Sequence, residues 1–317
     1  MKPACSIVIR AFNEGEHLGR LFEGISRQTI RDIELILVDS GSSDGTVEIA
    51  KKHGATILHI KPEDFTFGRS LNLGIEAANS GIIIIASAHV YPVYPDWIER
   101  MIEPFHDSRV ALVYGKQRGV EESHYSEQQI FKHWYPDIST VVQDHPFCNN
   151  ANAAIRRSFW ENHRYDESLP GLEDLAWAKW AYEQNFRIVY SSQAEIRHVH
   201  EESWAGIKKR YLREGMAFKS IYPQENFSLL DLIRLFFSNA ANDLAEAARE
   251  KKLRIEWANI LRFRWQQFHG TYLGYRRSGP LTWQLKQSFY YPRNGIKQTA
   301  IEQKRDVKPI EYHKEDR

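Results

Sequence analysis

Reactive side chains gather at a few places along this sequence. The run Asp39-Ser40-Gly41-Ser42-Ser43-Asp44-Gly45-Thr46 sets a carboxylate among small residues. Small residues let a backbone approach a ligand closely, a following helix N-terminus favours an anion, and Asp39 could accept a hydrogen bond from a uracil or thymine N3–H. The plainer alternative is a tight turn, with Asp44 as the N-cap of the next helix. Glu173-Asp174 stands before an apolar helical stretch, where acids also complement the helix dipole. His198 and His200 have strand spacing, so both imidazoles point one way; alternatively one packs on a sheet and the other is exposed. Asn149, Asn150 and Asn152 precede a strand of small residues. Their amides could bind ligand hydroxyls or cap a loop.

These residues need elements to hold them. Ser6–Ala11, Ile33–Val38, Thr56–Ile60 and Ile82–Ala86 read as strands, with helical spacing at Leu18, Leu21, Phe22 and Ile25, over Thr46–Lys52 and over Ser70–Ala78. That alternation predicts βαβ units and a mostly parallel sheet buried on both faces. In such sheets ligands bind beyond the carboxyl ends of the strands. The residues just after the strands therefore matter most: Arg10-Ala11-Phe12-Asn13-Glu14 after the first, the Asp39 run after the second. Further on, Ala111–Gly115 and Arg187–Ser191 read as strands, and Gln128–Trp134, Asp174–Glu183 and Gly206–Ile221 as helices. Past Pro223, Leu229–Arg249 and Ile255–Tyr275 carry helical periodicity only, and the charged tail from Gln303 is expected to fray. The expected division is a catalytic domain over 1–222, a helical extension over 223–290 and a tail over 291–317.

Composition narrows the classes. The chain has 317 residues, a formal net charge of +1 and 42% hydrophobic residues. A core of that size needs no disulfide or structural metal, and near-neutral charge argues against a nucleic-acid binder. Two cysteines, Cys5 and Cys148, point to a reducing compartment. No signal-like segment opens the chain and no apolar run is long enough to span a bilayer, so a cytosolic protein is expected. The apolar cluster from Leu229 to Phe237, followed by Lys251, Lys252, Arg254, Arg262 and Arg264, has two readings. The plainer is packing on the catalytic domain or a partner subunit; the other is an interfacial surface near a lipid-linked acceptor.

Five segments in order together resemble family 2 glycosyltransferases, inverting enzymes of the GT-A fold. They are Ser6–Glu14, Val38–Thr46, Phe67-Gly68-Arg69-Ser70-Leu71-Asn72-Leu73-Gly74, Asn149–Ala154 and Gly171-Leu172-Glu173-Asp174. The resemblance covers roughly residues 5 to 220 and implies a GT-A type, Rossmann-like sheet flanked by helices. It implies a donor site formed by Ala11, Asn13, Glu14, Asp39, Gly41, Arg69, Asn72, Ser87, Ala88, His89 and Asn152. It makes Asp174 the catalytic base, with Glu173 orienting or touching the acceptor. Where the family carries Asp-X-Asp, this chain reads Ser87-Ala88-His89, as in members resembling rhamnosyltransferases. His89 then takes the metal-binding position, completed by His200 or His198. Imidazole suits Mn²⁺ better than the oxygen-seeking Mg²⁺.

The expected function is therefore inverting transfer of a sugar from a UDP- or dTDP-sugar donor to a saccharide or lipid-linked acceptor, in surface polysaccharide or glycolipid synthesis. Two other readings compete: a non-catalytic nucleotide-sugar-binding scaffold, and a sugar nucleotidyltransferase. Against the latter, Asn13-Glu14-Gly15-Glu16 is acidic where those enzymes carry an early Gly-rich basic loop.

Overall fold

The computed structural model describes residues 2–200, 202–276 and 307–312. Its strands are β1 (Cys5–Ala11), β2 (Ile33–Asp39), β3 (Thr56–His59), β4 (Ile82–Ser87), β5 (Val90–Pro92), β6 (Val110–Gly119), β7 (Asn152–Arg156) and β8 (Arg187–His198). They form one sheet in the order β3-β2-β1-β4-β7-β6-β8-β5. The first four are parallel, as expected. β7 then runs antiparallel to both β4 and β6, a reversal the periodicity did not predict. β8 is parallel to β6, and the short β5 pairs antiparallel with β8 at the edge.

The helices are α1 (Gly15–Ser26), α2 (Thr46–Lys52), α3 (Phe67–Ala77), α4 (Trp97–Ile102), α5 (Tyr125–Trp134), α6 (Arg157–Asn162), α7 (Glu173–Glu183), α8 (Trp204–Ile221), α9 (Leu229–Arg249) and α10 (Leu253–Tyr275). α1 buries Leu18, Leu21, Phe22 and Ile25 against Ile7, Ile9 and Ile84 on one face of the sheet. On the other face Val8, Ile83 and Ile85 meet Leu71 and Ile75 of α3 and Trp177 of α7. Burial on both faces explains the unbroken isoleucine run of β4.

α10 packs on α8 and α9 on α10, and Leu175 of α7 joins Phe218, Leu232 and Phe268 in a third cluster. Glycines bring α8 and α10 into near contact: a Cβ at Gly270 would lie 2.5 Å from the Lys208 carbonyl oxygen and 3.2 Å from the Leu212 nitrogen. Backbone atoms cannot swing aside. Gly270→Ala is therefore expected to destabilise the fold by about 1–3 kcal/mol, an overpacking cost, seen as a lower urea midpoint. An unchanged midpoint would show that the helices can part.

Of the tail, residues 307–312 do not project into solvent as a frayed end. The Ile310 N–H donates to the Val93 carbonyl at 2.9 Å. Tyr312 packs edge-on to Tyr91 at 4.9 Å, and its hydroxyl donates to the Pro92 carbonyl. Residues 277–306 and 313–317, in the expected extension and tail, lie outside the described residues.

Candidate active site

The carboxyl ends of β1 and β4 meet the start of β7, because Ala86 of β4 is paired with Asn152 and Arg10 of β1 with Ser87. The antiparallel direction of β7 is what delivers Asn149–Asn152 to this edge. Asn150 fastens the acidic pair there. Its backbone N–H donates to Asp174 Oδ2 at 3.0 Å, and its side-chain amide reaches Glu173 Oε1 at 3.4 Å. Arg10 forms an ion pair with Glu173 at 3.0 Å. Asp174 Oδ1 accepts the Leu175 N–H at 2.8 Å. Burial, reinforced by the Glu173 charge, pushes the Asp174 carboxyl up to about 7. Cys148, buried beside the pair, is also raised by burial and stays a thiol.

Three imidazoles converge on the same edge. His89 follows β4, His198 ends β8 and His200 lies two residues on. The Val199 N–H donates to the His89 carbonyl at 3.0 Å and ties the segments together. His89 stacks on His198 with ring centroids 5.1 Å apart, and the His198 and His200 centroids are 4.0 Å apart. Each Nδ1 is held by an oxygen at 2.8 Å: Glu14 for His89, Gln117 for His198 and Glu127 for His200. A carboxylate must accept, so His89 and His200 donate through Nδ1, and in the neutral imidazole Nε2 then carries the lone pair. The Ser87 hydroxyl donates to His89 Nε2 at 3.1 Å. His198 Nε2 is buried without a partner, and burial, then the neighbouring His200 and His89, pulls its pKa well below the usual value, so it is neutral.

That pattern fits a divalent ion. One ring nitrogen from each of the three histidines lies within 4.8 Å of the other two. Nitrogens bound to one ion stand about 3–3.5 Å apart, so a small inward movement completes the set. The oxygens on Nδ1 are the outer contacts that orient histidine ligands. Glu127 is itself anchored: burial would push its carboxyl up, but Arg210 at 2.6 Å and His200 hold it at about 2.

The remaining expected donor residues divide. At the end of β2, Asp39 accepts the Gly41 N–H at 3.0 Å and the Ser42 N–H at 3.2 Å, with Gly41 at φ +99, a conformation that suits glycine. Asn13 accepts the Ser43 N–H at 2.9 Å, and Ala11 accepts the Ser40 N–H at 3.1 Å. So the loops after β1 and β2 are laced together. Asp44 is not the cap expected for α2, whose N-cap is Gly45. It accepts from Thr46 and from the Gly15 N–H, joining the starts of α1 and α2. Arg69 is half-exposed and loosely paired, 3.6 Å from Asp64 and 3.9 Å from Glu167.

Three expected donor residues face the scaffold instead. Asn72 gives its amide to Tyr165 and Glu167 and accepts from Trp160 and the Tyr165 N–H, which uses all four of its hydrogen bonds. Asn152 is likewise committed to Trp97, Lys116 and Ala194. Ala88 is fully buried, so only its backbone could meet a ligand. Conversely, Gln117, Glu127 and Arg210 were not anticipated. Glu127 lies 73 residues from His200 and Gln117 lies 81 from His198, with no local pattern to link them. Arg10 was visible only as part of its motif.

A GT-A type sheet, with one antiparallel strand inside a parallel set and acids at its carboxyl edge, defines the class as glycosyltransferase. The chain belongs to glycosyl transferase family 2, whose description matches residues 6–164. It is similar to the O-antigen chain rhamnosyltransferase RfbN of Salmonella typhimurium, 27% identical over 67% of this chain and 71% of that protein. It is also similar to the O-antigen chain rhamnosyltransferase WbaN of Salmonella anatum, 25% identical over 68% and 72%. In fold it matches the mannosyltransferase PcManGT of Pyrobaculum calidifontis, solved with GDP-Man and Mn²⁺. The TM-score is 0.59 at 15% identity, covering 85% and 86% of the chains. It also matches S. aureus TarS solved with UDP-GlcNAc, with a TM-score of 0.53 at 13% identity, covering 84% and 90%. Family membership sets aside the nucleotidyltransferase reading.

Proposed function

We propose that this enzyme transfers a sugar from a UDP- or dTDP-sugar to an acceptor hydroxyl with inversion, in the assembly of a surface polysaccharide or glycolipid. The observation that carries the reading is Asp174, a buried carboxyl raised to about 7 and aimed by backbone N–H groups at the carboxyl edge of the sheet. A base with a pKa near the working pH is suited to take a proton as a hydroxyl attacks. The acceptor oxygen bonds to the anomeric carbon while the bond from that carbon to the diphosphate oxygen breaks and its electron pair leaves with the diphosphate. The hydroxyl proton passes to Asp174, and a single in-line displacement inverts the centre. Glu173, neutralised by Arg10, orients the acceptor.

Asp39 and the laced loops after β1 and β2 hold the base, and Arg69 meets the diphosphate. Asn72, Asn152 and the Ala88 side chain support this site without touching the donor. His89, His198 and His200 would hold a divalent ion, which would supply positive charge against the departing diphosphate. An all-imidazole set favours Mn²⁺ over Mg²⁺. The names of the Salmonella relatives support a polysaccharide acceptor, and the nucleotide-sugar and Mn²⁺ complexes of the fold neighbours support the donor and metal classes.

A ligand that binds only the native state raises the melting temperature, by about 2.7 kcal/mol of stabilisation at 100 times Kd. UDP or dTDP with Mn²⁺ should therefore raise the melting temperature, and EDTA should remove the shift. Stabilisation by GDP alone would retire the pyrimidine assignment. An equal shift in EDTA would retire the metal, and no shift with any nucleotide would sink the donor site.

A further inference from the structure

The α9–α10 hairpin carries a surface that the transfer reaction does not use. Its inner side is closed by Leu232, Leu235, Phe263 and Phe268. Its outer side leaves large apolar groups in water: Leu230 is 78% exposed, Phe237 64%, Trp257 54% and Trp265 44%. These are not scattered. Leu230, Ile233 and Phe237 recur at helical spacing on α9, as do Trp257 and Trp265 on α10, so each helix presents a stripe. Phe236 bridges the stripes, edge-on to Phe237 at 5.1 Å and to Trp265 at 5.8 Å. A single exposed leucine is ordinary, whereas a joined patch marks an interaction surface.

The charges around it have one sign. Between residues 229 and 265 every charged side chain that stands exposed is a cation: Arg234, Arg249, Lys251, Lys252, Arg254 and Arg262. The carboxylates of the same stretch, Asp231, Asp243, Glu246, Glu250 and Glu256, are all at least partly buried. Glu246 and Glu250 answer Arg249 and Lys252 at 2.8 and 3.2 Å. Among the described residues no carboxylate pairs with Lys251 or Arg254, at the turn between the helices. A second copy of the same face would bring cations against cations, which opposes self-association. Tryptophans at the headgroup level, aliphatic groups beneath them and cations on phosphates are instead the complement of an anionic leaflet. No helix of the described residues is long and apolar enough to cross a membrane, so the contact would lie on the bilayer.

We propose that the outer face of the α9–α10 hairpin docks on a bilayer containing anionic phospholipid. α10 is bound tightly to α8 through Gly215, Gly270 and Gly274, and α8 follows the His198–His200 segment. A docked hairpin therefore fixes the catalytic edge relative to the lipid surface. The test is co-sedimentation of the full chain with vesicles of phosphatidylcholine alone or mixed with phosphatidylglycerol, read without any turnover. Failure here is thus separate from failure of the proposed reaction. Binding should be at least about tenfold stronger on the mixed vesicles, and Lys251→Glu/Arg254→Glu should lower it about tenfold or more. Phe237→Ser/Trp257→Ser should lower it on both vesicle types, with the melting temperature unchanged. Absence of binding, equal binding to both vesicle types, or indifference to the charge reversal would overturn the proposal. So would a dimer, seen by sedimentation velocity, that the serine variant dissolves.

Discussion

Turnover by the Asp174→Asn enzyme should fall by about 10²–10⁴-fold, the share a positioned base contributes, while nucleotide affinity stays within a few-fold. The carboxylate oxygens that accept from Asn150 and Leu175 at 3.0 and 2.8 Å leave lone pairs for an acceptor hydroxyl. An amide cannot take the proton. In the parent enzyme kcat/KM should rise with pH through about 7 and level off above it, because Asp174 works ionised and its carboxyl is raised to about 7 by burial and by Glu173. The same shift carries a stability cost. From about pH 4 to 7 the unfolded chain has already released this proton while the native state retains it, so stability falls as pH rises through that window. The full difference is roughly 4 kcal/mol, from a rise from 3.8 to about 7. Asp174→Asn should remove this component of the pH dependence, so melting curves at pH 5 and pH 8 should lie closer together in the variant. Normal turnover in the variant would move the base to another residue.

Removing one imidazole should be nearly as damaging. His198→Ala deletes the central ring, whose buried Nε2 has no other partner, and should abolish measurable Mn²⁺ binding in a calorimetric titration. Glu127→Gln leaves all three proposed metal ligands in place. It should weaken Mn²⁺ by about 10–100-fold, the usual effect of losing an outer contact, because His200 loses the carboxylate that fixes its ring at 2.8 Å. The variant should still fold, since Arg210 keeps its second carboxylate, Glu202, at 2.7 Å. Unaltered Mn²⁺ affinity in His198→Ala would dissolve the proposed centre.

Much of the fold was legible because its signals are local. Apolar runs of four to seven residues between helical repeats mark β1, β2, β3 and β4 within a residue or two. The short α4 and α6 and the three-residue β5 carry too little periodicity to stand out. The direction of β7 was hidden because Ala153 and Ala154 are compatible with either orientation. What decides it is the partner strand, Ile82–Ile85, far away in the chain. The histidines were visible as residues, but their mates were not. His200 lies beyond the end of β8, so the meeting of its ring with His198 owes less to strand alternation than to Glu127 on α5. Asn72 and Asn152 show the opposite failure. An amide in a motif says nothing of whether its hydrogen bonds are already used, and here the scaffold uses them.

The reversed strand also bears on how the chain is made. β1, β2, β3 and β4 can assemble as soon as residues 5–87 are available, but the far side of β4 waits for β7. At about 5–20 residues per second, the roughly 70 intervening residues take about 3–14 s on the ribosome. For that interval the nascent protein presents Ile82-Ile83-Ile84-Ile85 as an open apolar edge, the kind of template on which other chains add strands. Antiparallel closure covers that edge and sets Asn150 in the place where Asp174, later in the chain, docks. A newly made molecule therefore covers its aggregation-prone edge before its catalytic geometry is complete, because Asp174, His198 and His200 follow β7 in the chain.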